Sequence, residues 1–419
     1  MIIQFSVGNY GSFDEIQKLN FRATTLESCS PEVDQRNLIS VGDQNYLKLI
    51  GIYGANASGK SNLMRSLSFF RELVAHSMAS EELSQSGVNP FRQSDEGFMQ
   101  PSYFQIVLLL EEKKYRYGFT LTGEGKIESE WLFGPAGKNE TYYFKRSAAE
   151  VQINREWFTE AAELPLENLR DNALFLSFGS SYNGPVARAI RGYLANKITV
   201  DIKHRRGSRR SGVFGIINHP TNRLVEAGET ELVLTWLKEV GLVYHGIELP
   251  EKERPGNAVI LFKHIYDKEG RVTGLAGMDL SQDESDGTQK FYNYIGRLYR
   301  KFKDGGLYIV DEIDSNFHPA LLQKIIRLFQ NPEINTANAQ LLFTSHDTNL
   351  MDPAIMRRDQ FYFTEKTMYD ATRLYSLADL KGIRNNADFA RQYLAGLYGA
   401  LPILGDYLEQ RTEDAQDDA

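Results

Sequence analysis

The chain offers almost no sulfur chemistry, with a single cysteine, Cys29, among 419 residues. One thiol cannot close an intrachain disulfide, so the fold must rest on packing, and a reducing cytoplasm suits it. Histidine is scarce too: 7 residues lie scattered, and with one cysteine they form no cluster at zinc-ligand spacing. A structural metal is therefore not expected. No run approaches the roughly 18 uninterrupted apolar residues of a membrane span, and the start lacks a basic segment leading into an apolar stretch. Membrane insertion and secretion are both disfavoured. The sequence also lacks internal repeats and a long heptad array, which argues against an extended coiled-coil arm.

What is present is enough apolar material, 42% of residues, to bury a substantial core, in what reads as two lobes. The net charge of −8 gives the whole molecule no attraction for polyanions. One segment departs from that balance. "DIKHRRGSRRSG" gathers Lys203, Arg205, Arg206, Arg209 and Arg210, with Gly207 and Ser208 making it a loop. It reads either as a solvated surface loop or as a nucleic-acid contact at 203–210. The acidic ending, 405–419, lacks apolar periodicity and is expected to be disordered.

The chemistry begins at "LKLIGIYGANASGKSNLMRSLSFF". Gly54, Gly59, Lys60 and Ser61 fit GxxxxGK[ST], preceded by a strand-like segment (Leu47 to Tyr53) and followed by a periodic helix (Asn62 to Leu73). Such a loop turns backbone N–H groups and a helix N-terminus toward an anion, so it is a cradle for nucleotide phosphate. Lys60 would neutralise the outer phosphates and Ser61 would hold Mg2+. A second strand, Leu307 to Val310, runs into Asp311 and Glu312. Buried parallel strands present ligand groups at their C-terminal ends. There Asp311 would hold the hydrated Mg2+, and Glu312 would orient or deprotonate the attacking water, a role worth about 10^2 to 10^4 in rate. Taken singly, an acidic pair is often a solvated strand end; taken with the loop, it reads as catalytic. A third strand, Leu341 to Thr344, delivers Ser345 and His346, across an intervening helix from Pro319 to Phe329. A neutral His346 there can meet the γ-phosphate or the water, although a lone histidine is as often a cap.

"SDGT", Ser285 to Thr288, opens an amphipathic helix with Phe291, Ile295, Leu298 and Phe302 on one stripe. The order of loop, polar helix start, acidic strand and histidine resembles the ABC-type P-loop ATPases. In that family the Ser and Gly of the signature reach across a dimer, which here implies Ser285 and Gly287. A helix cap would fit "SDGT" nearly as well. "DSNFHP" resembles the D-loop, implying Asp314 at the dimer seam. "GANASGKSN", with Asn56 and Asn62, resembles the SMC, Rad50 and RecF group. The resemblance implies nucleotide contacts from Gly54, Asn56, Ser58, Gly59, Lys60, Ser61 and Asn62. It also implies a γ-phosphate-sensing glutamine, for which Gln93 and Gln105 both stand open. The stretch "NNADFARQYLAGLYGALPIL", Asn385 to Leu404, is similar to the RloA-like ATPases of abortive infection and phage defence.

The expected fold is therefore α/β: an ABC-type P-loop head, with a parallel sheet flanked by helices and an antiparallel β subdomain, plus an inserted helical subdomain. The head takes 1–149 and 255–404, where the "YFQIVLLLEEKKYRYGF" meander supplies the outer strands and the strands from "NAVILFKHIY" onward close the parallel sheet. Residues 150–254 read as a mainly helical insertion projecting from it. The resemblance implies ATP and Mg2+ as cofactors and an ATP-sandwiched, head-to-tail dimer or higher oligomer. In function it implies an ATP-driven sensor in antiphage defence that controls a separate effector, such as a nuclease encoded nearby, because no nuclease motif is visible in this chain. The alternative is a RecF- or Rad50-like DNA-binding repair ATPase, supported by the basic segment alone. A transporter subunit fits the Asn-rich loop poorly.

Overall fold

The computed structural model describes residues 1–402 apart from 96, 149, 162, 203–218 and 251–257. The basic segment 203–210 and the acidic ending 405–419 both lie outside the described residues.

The chain opens with an antiparallel pair, β1 (Ile2–Gly8) and β2 (Gln17–Asn20). A short helix, α1 (Pro31–Asn37), and a hairpin of β3 (Leu38–Val41) and β4 (Gln44–Leu47) follow. β5 (Leu49–Tyr53) leads through the glycine loop into α2 (Lys60–His76), and α3 (Glu82–Ser86) comes after it. Four long strands, β6 (Ser102–Leu110), β7 (Lys113–Leu121), β8 (Ile127–Ala136) and β9 (Asn139–Ser147), and a short β10 (Val151–Ile153) form the meander. Its first turn is closed by Glu111 and Glu112, both at positive φ, the geometry a two-residue hairpin needs to match strand twist. β6 pairs with β1, so the outer sheet has seven strands in the order β10-β9-β8-β7-β6-β1-β2.

Helices α4 (Phe175–Ser181) and α5 (Pro185–Lys197) then lead into β11 (Ile198–Asp201). Helices α6 (Pro220–Glu226) and α7 (Thr230–Glu239) precede a three-stranded antiparallel sheet of β12 (Gly246–Glu248), β13 (Ile260–Tyr266) and β14 (Val272–Asp279). The last part alternates: α8 (Asp286–Asp304), β15 (Leu307–Val310), α9 (Pro319–Gln330), β16 (Gln340–Thr344), β17 (Phe361–Lys366), β18 (Thr372–Ser376) and α10 (Phe389–Leu394). The central sheet has the order β11-β15-β16-β5-β17-β18. Its neighbours run parallel, except β18, which returns antiparallel at the edge.

Side-chain alternation explains why this sheet is buried on both faces. Ile50 and Ile52 of β5, Leu307 and Ile309 of β15 and Leu342 of β16 enter one core with α2, α4, α5 and the outer sheet. Their neighbours Leu49, Tyr53, Tyr308, Val310, Leu341 and Phe343 enter a second core with α7, α8 and α9. Strands covered on both sides read as continuous apolar runs, as these do. Phe291, Ile295, Leu298 and Phe302 of α8 all enter the second core, as their helical spacing predicts. A buried amide joins the two sheets: Gln340 accepts from Ile2 N at 2.8 Å and donates to the carbonyls of Ile2 at 3.0 Å and Leu47 at 3.1 Å.

Residues 150–254 do not stand apart as an insertion. Their α4 and α5 pack in the same core as α2, and β11 is the edge strand of the central sheet itself. Their α6 and α7 pack beside α8 in the second core, where the Thr221 hydroxyl donates to the carbonyl of Tyr292 at 2.6 Å. The strands after "NAVILFKHIY" likewise depart from expectation, because β13 and β14 pair with β12 in their own sheet and the parallel sheet resumes only at β15.

Candidate active site

The loop between β5 and α2 is shaped by Gly59, the N-cap of α2, whose φ of 113° is a left-handed conformation L side chains rarely adopt. A Cβ there would sit 2.2 Å from Thr372 Oγ1 and 2.9 Å from Ser12 Oγ, so neither backbone nor space admits another residue. Those hydroxyls brace the loop from behind. Thr372 Oγ1 lies 2.8 Å from the Ser58 carbonyl and 2.7 Å from Ser12 Oγ, and Ser58 Oγ bonds Thr364 Oγ1 at 2.6 Å. Asn62 donates its amide to Ser12 Oγ at 2.8 Å, so it ties the helix start to the N-terminal turn. Lys60 is buried, and its ammonium donates to the loop's own carbonyls, Gly54 at 2.7 Å and Ala55 at 2.9 Å.

The end of β15 is braced from β16. Thr344 Oγ1 donates to Asp311 Oδ1 at 2.7 Å and accepts from Glu312 N, also at 2.7 Å. Glu312 itself has φ of 52°, unusual for a residue with a side chain. Lys290, on the first turns of α8, reaches beneath this turn. Its ammonium donates to the carbonyls of Glu312 at 3.3 Å, Ile313 at 3.1 Å and Ser315 at 2.7 Å, and lies 4.5 Å from the Phe317 ring centroid. Thr344, Lys290, Thr372 and Ser12 were not singled out from the sequence. Thr344 alone had a local signal, as the last residue of the strand that delivers His346.

A cavity of about 310 Å³ joins these elements, lined by residues 56–62 of the loop and helix start, Arg65, Asp311, Glu312 and His346. Residues from three separate strand ends thus meet in one place. Gly54 lies beside it, in a neighbouring cavity of about 440 Å³ that shares Asn56, Ser58 and His346 and is walled by Tyr393 and Ala400 to Pro402. Burial lowers the Lys60 pKa, against the opposing pull of Asp311, Glu312 and Asp314. His346 is also held below the ordinary histidine value, first by desolvation and then by Lys60, so it is a neutral hydrogen-bonding imidazole at pH 7. The donor set fits a nucleotide with its cation: a glycine-bounded anion cradle, one lysine, and a hydroxyl (Ser61) and a carboxylate (Asp311) lining the same cavity. Mg2+ held there would supply charge neutralisation on the phosphate oxygens.

Other expected residues are not among those that line the cavity. Ser285 is the N-cap of α8 and accepts from Thr288 N at 3.2 Å. Gly287 is needed inside its own chain, since a Cβ there would sit 2.7 Å from the Asn316 carbonyl. Asp314 turns inward in this chain and accepts from His346 N at 3.1 Å through Oδ2, leaving Oδ1 buried without a hydrogen bond. Gln105 sits within β6 and accepts from Trp131 Nε1 at 3.2 Å, and neither it nor Gln93 lines the loop cavity.

Among solved structures, the chain is similar to the SMC head bound to the C-winged helix domain of ScpA, at 14% identity over 90% of this chain and 97% of that one, with a TM-score of 0.46. It is also similar to the SMC head domain from Thermotoga maritima, at 13% identity over 90% and 98%, with a TM-score of 0.40. No curated protein matches it. One family model, described as "AAA domain, putative AbiEii toxin, Type IV TA system", matches residues 49–186 and 249–352. Those spans hold the phosphate loop, Ser285, the acidic strand end and His346, and together they exceed half of the chain. By that match the chain belongs to this AAA-domain family, and with its phosphate loop, acidic strand end and doubly covered parallel sheet it is a P-loop ATPase.

Proposed function

We propose that the protein is an ATP-hydrolysing switch whose two heads close on ATP, and that it serves as the sensor of an antiphage, abortive-infection system by controlling a separate effector. One observation carries the switch. Lys60, Ser61, Asp311, Glu312 and His346 share one cavity, whereas Ser285 and Gly287 are not among its lining residues. A second copy, turned head to tail, is the simplest source of the missing signature, with Asp314 at the seam. Within each site Lys60 would neutralise the phosphates, Ser61 and Asp311 would hold Mg2+, and Glu312 would take the proton of the attacking water while His346 bonds the γ-phosphate. The defence role draws support from the words "putative AbiEii toxin, Type IV TA system" in the family description.

The test compares wild type, Glu312→Gln and Lys60→Ala for nucleotide binding, turnover and mass by light scattering. Glu312→Gln is expected to bind ATP, lose about 10^2 to 10^4 in turnover and accumulate as a dimer, whereas Lys60→Ala loses nucleotide binding. Equal turnover by wild type and Glu312→Gln would sink the assignment. Purifying tagged Glu312→Gln from its host, with and without nuclease, reads the biological role. A stoichiometric, nuclease-resistant partner protein supports the defence role. Co-purifying DNA without a protein partner, lost when Arg205, Arg206, Arg209 and Arg210 become Ala, moves the protein to DNA repair.

A further inference from the structure

We propose that Thr344 is a positioning residue whose single hydroxyl sets Asp311 and Glu312 together, an inference that rests on the ATPase reading above. Thr344 ends β16, is 0% exposed, and touches the acidic turn three times. Its hydroxyl donates to Asp311 Oδ1 at 2.7 Å and accepts from Glu312 N at 2.7 Å, and its carbonyl accepts from Ile313 N at 3.0 Å.

Proton counting fixes the direction of these bonds. A hydroxyl has one proton, and the Glu312 N–H can only donate, so it must occupy a lone pair of Thr344 Oγ1. A carboxylate that helps hold a cation has no proton to give, so the hydroxyl proton goes to Asp311 Oδ1, which accepts. Asp311 Oδ1 is thereby held, which fixes the orientation of the carboxylate that would help hold Mg2+ at the cavity. On the other side, Glu312 sits at φ of 52°, a left-handed conformation that a residue with a side chain rarely adopts. A hydrogen bond to its N–H helps hold that turn open in the orientation that brings Glu312 into the cavity. One side chain thus couples the cation side of the reaction to the water side, and does so from the strand that also delivers His346.

Valine keeps the shape of threonine without the hydroxyl, and serine keeps the hydroxyl without the methyl. The experiment measures kcat and KM for ATP, with Mg2+ titrations of binding to a fluorescent ATP analogue, for wild type, Thr344→Val, Thr344→Ala and Thr344→Ser. Thr344→Val is expected to lower kcat by about 30-fold or more with KM within about threefold, and to shift the Mg2+ midpoint upward. Thr344→Ala should follow valine, and covers the case in which valine does not fold. Thr344→Ser should stay within about threefold of wild type. A valine variant with wild-type kcat and Mg2+ midpoint, or a serine variant as impaired as valine, overturns the inference while leaving the ATPase reading intact. A wild type that neither binds nor hydrolyses ATP overturns both.

Discussion

Glu130 on β8 offers a severe test of how the outer sheet supports the phosphate-loop helix. Its carboxylate is 1% exposed and accepts from Phe175 N at 2.6 Å, Leu176 N at 2.9 Å and Tyr117 OH at 2.9 Å. The first two are orphan donors at the start of α4, so Glu130 caps that helix from another element. Arg146, also buried, lies 3.6 Å from the same carboxylate and is held by the carbonyls of Ala173 at 2.5 Å and Arg170 at 3.0 Å. In turn α4 meets α2 through Ser177, whose hydroxyl donates to the Val74 carbonyl at 2.8 Å. Glu130→Ala strands three donors and one buried cation. Each unsatisfied donor costs about 1–3 kcal/mol, and removing one partner of a buried ion pair about 3–5; because these overlap, about 4 kcal/mol is expected in total. Glu130→Gln keeps the shape and one acceptor oxygen, and should cost about 2 kcal/mol. Urea titration with linear extrapolation reads both. A loss below about 1 kcal/mol for Glu130→Ala would refute the claim that this carboxylate holds α4 to the sheet.

Two further outcomes are expected. Lys290→Met removes the ammonium that ties α8 to the turn carrying Glu312, so kcat should fall about tenfold or more while ATP affinity holds, and an unchanged kcat would place Lys290 outside catalysis. Lys301 is 3% exposed, and burial, with Lys197, Arg71 and Arg300 nearby, brings its pKa down to about 7. The folded state then binds fewer protons than the unfolded one between about pH 7 and the ordinary lysine value near 10.4, so stability from this group rises with pH across that window. Wild type should therefore gain up to about 1 kcal/mol per pH unit more than Lys301→Met between pH 7 and 9 in urea melts, and parallel slopes would contradict the assignment.

Much of the site was legible because its motifs are local. The glycine loop closes within a few residues, and an apolar strand that ends in Asp311 and Glu312 announces itself without knowledge of its neighbours. The same holds for the strand ending in His346 and for the stripe on α8. What escaped are groups whose partners lie far along the chain: Gln340 bonding Ile2, Glu130 bonding Phe175, and Thr344 bonding Asp311. Nothing around a threonine at the end of a strand says which carboxylate it will meet. The expected insertion failed for the same reason, since β11 looks like any short strand after a helix and only its pairing with β15 places it in the central sheet.

The sequence by itself therefore determined the phosphate loop, the order of the strand-end residues around it and the two-sided burial of the strands that carry them, because each is written in a short window of residue types and spacing. Tertiary structure alone decided that three strand ends converge on one cavity, that a threonine and a lysine brace the acidic turn, and that the segment before the basic stretch belongs to the sheet. Those depend on strand order and on hydrogen bonds between residues distant in sequence, which the closing of the chain selects and no local pattern encodes.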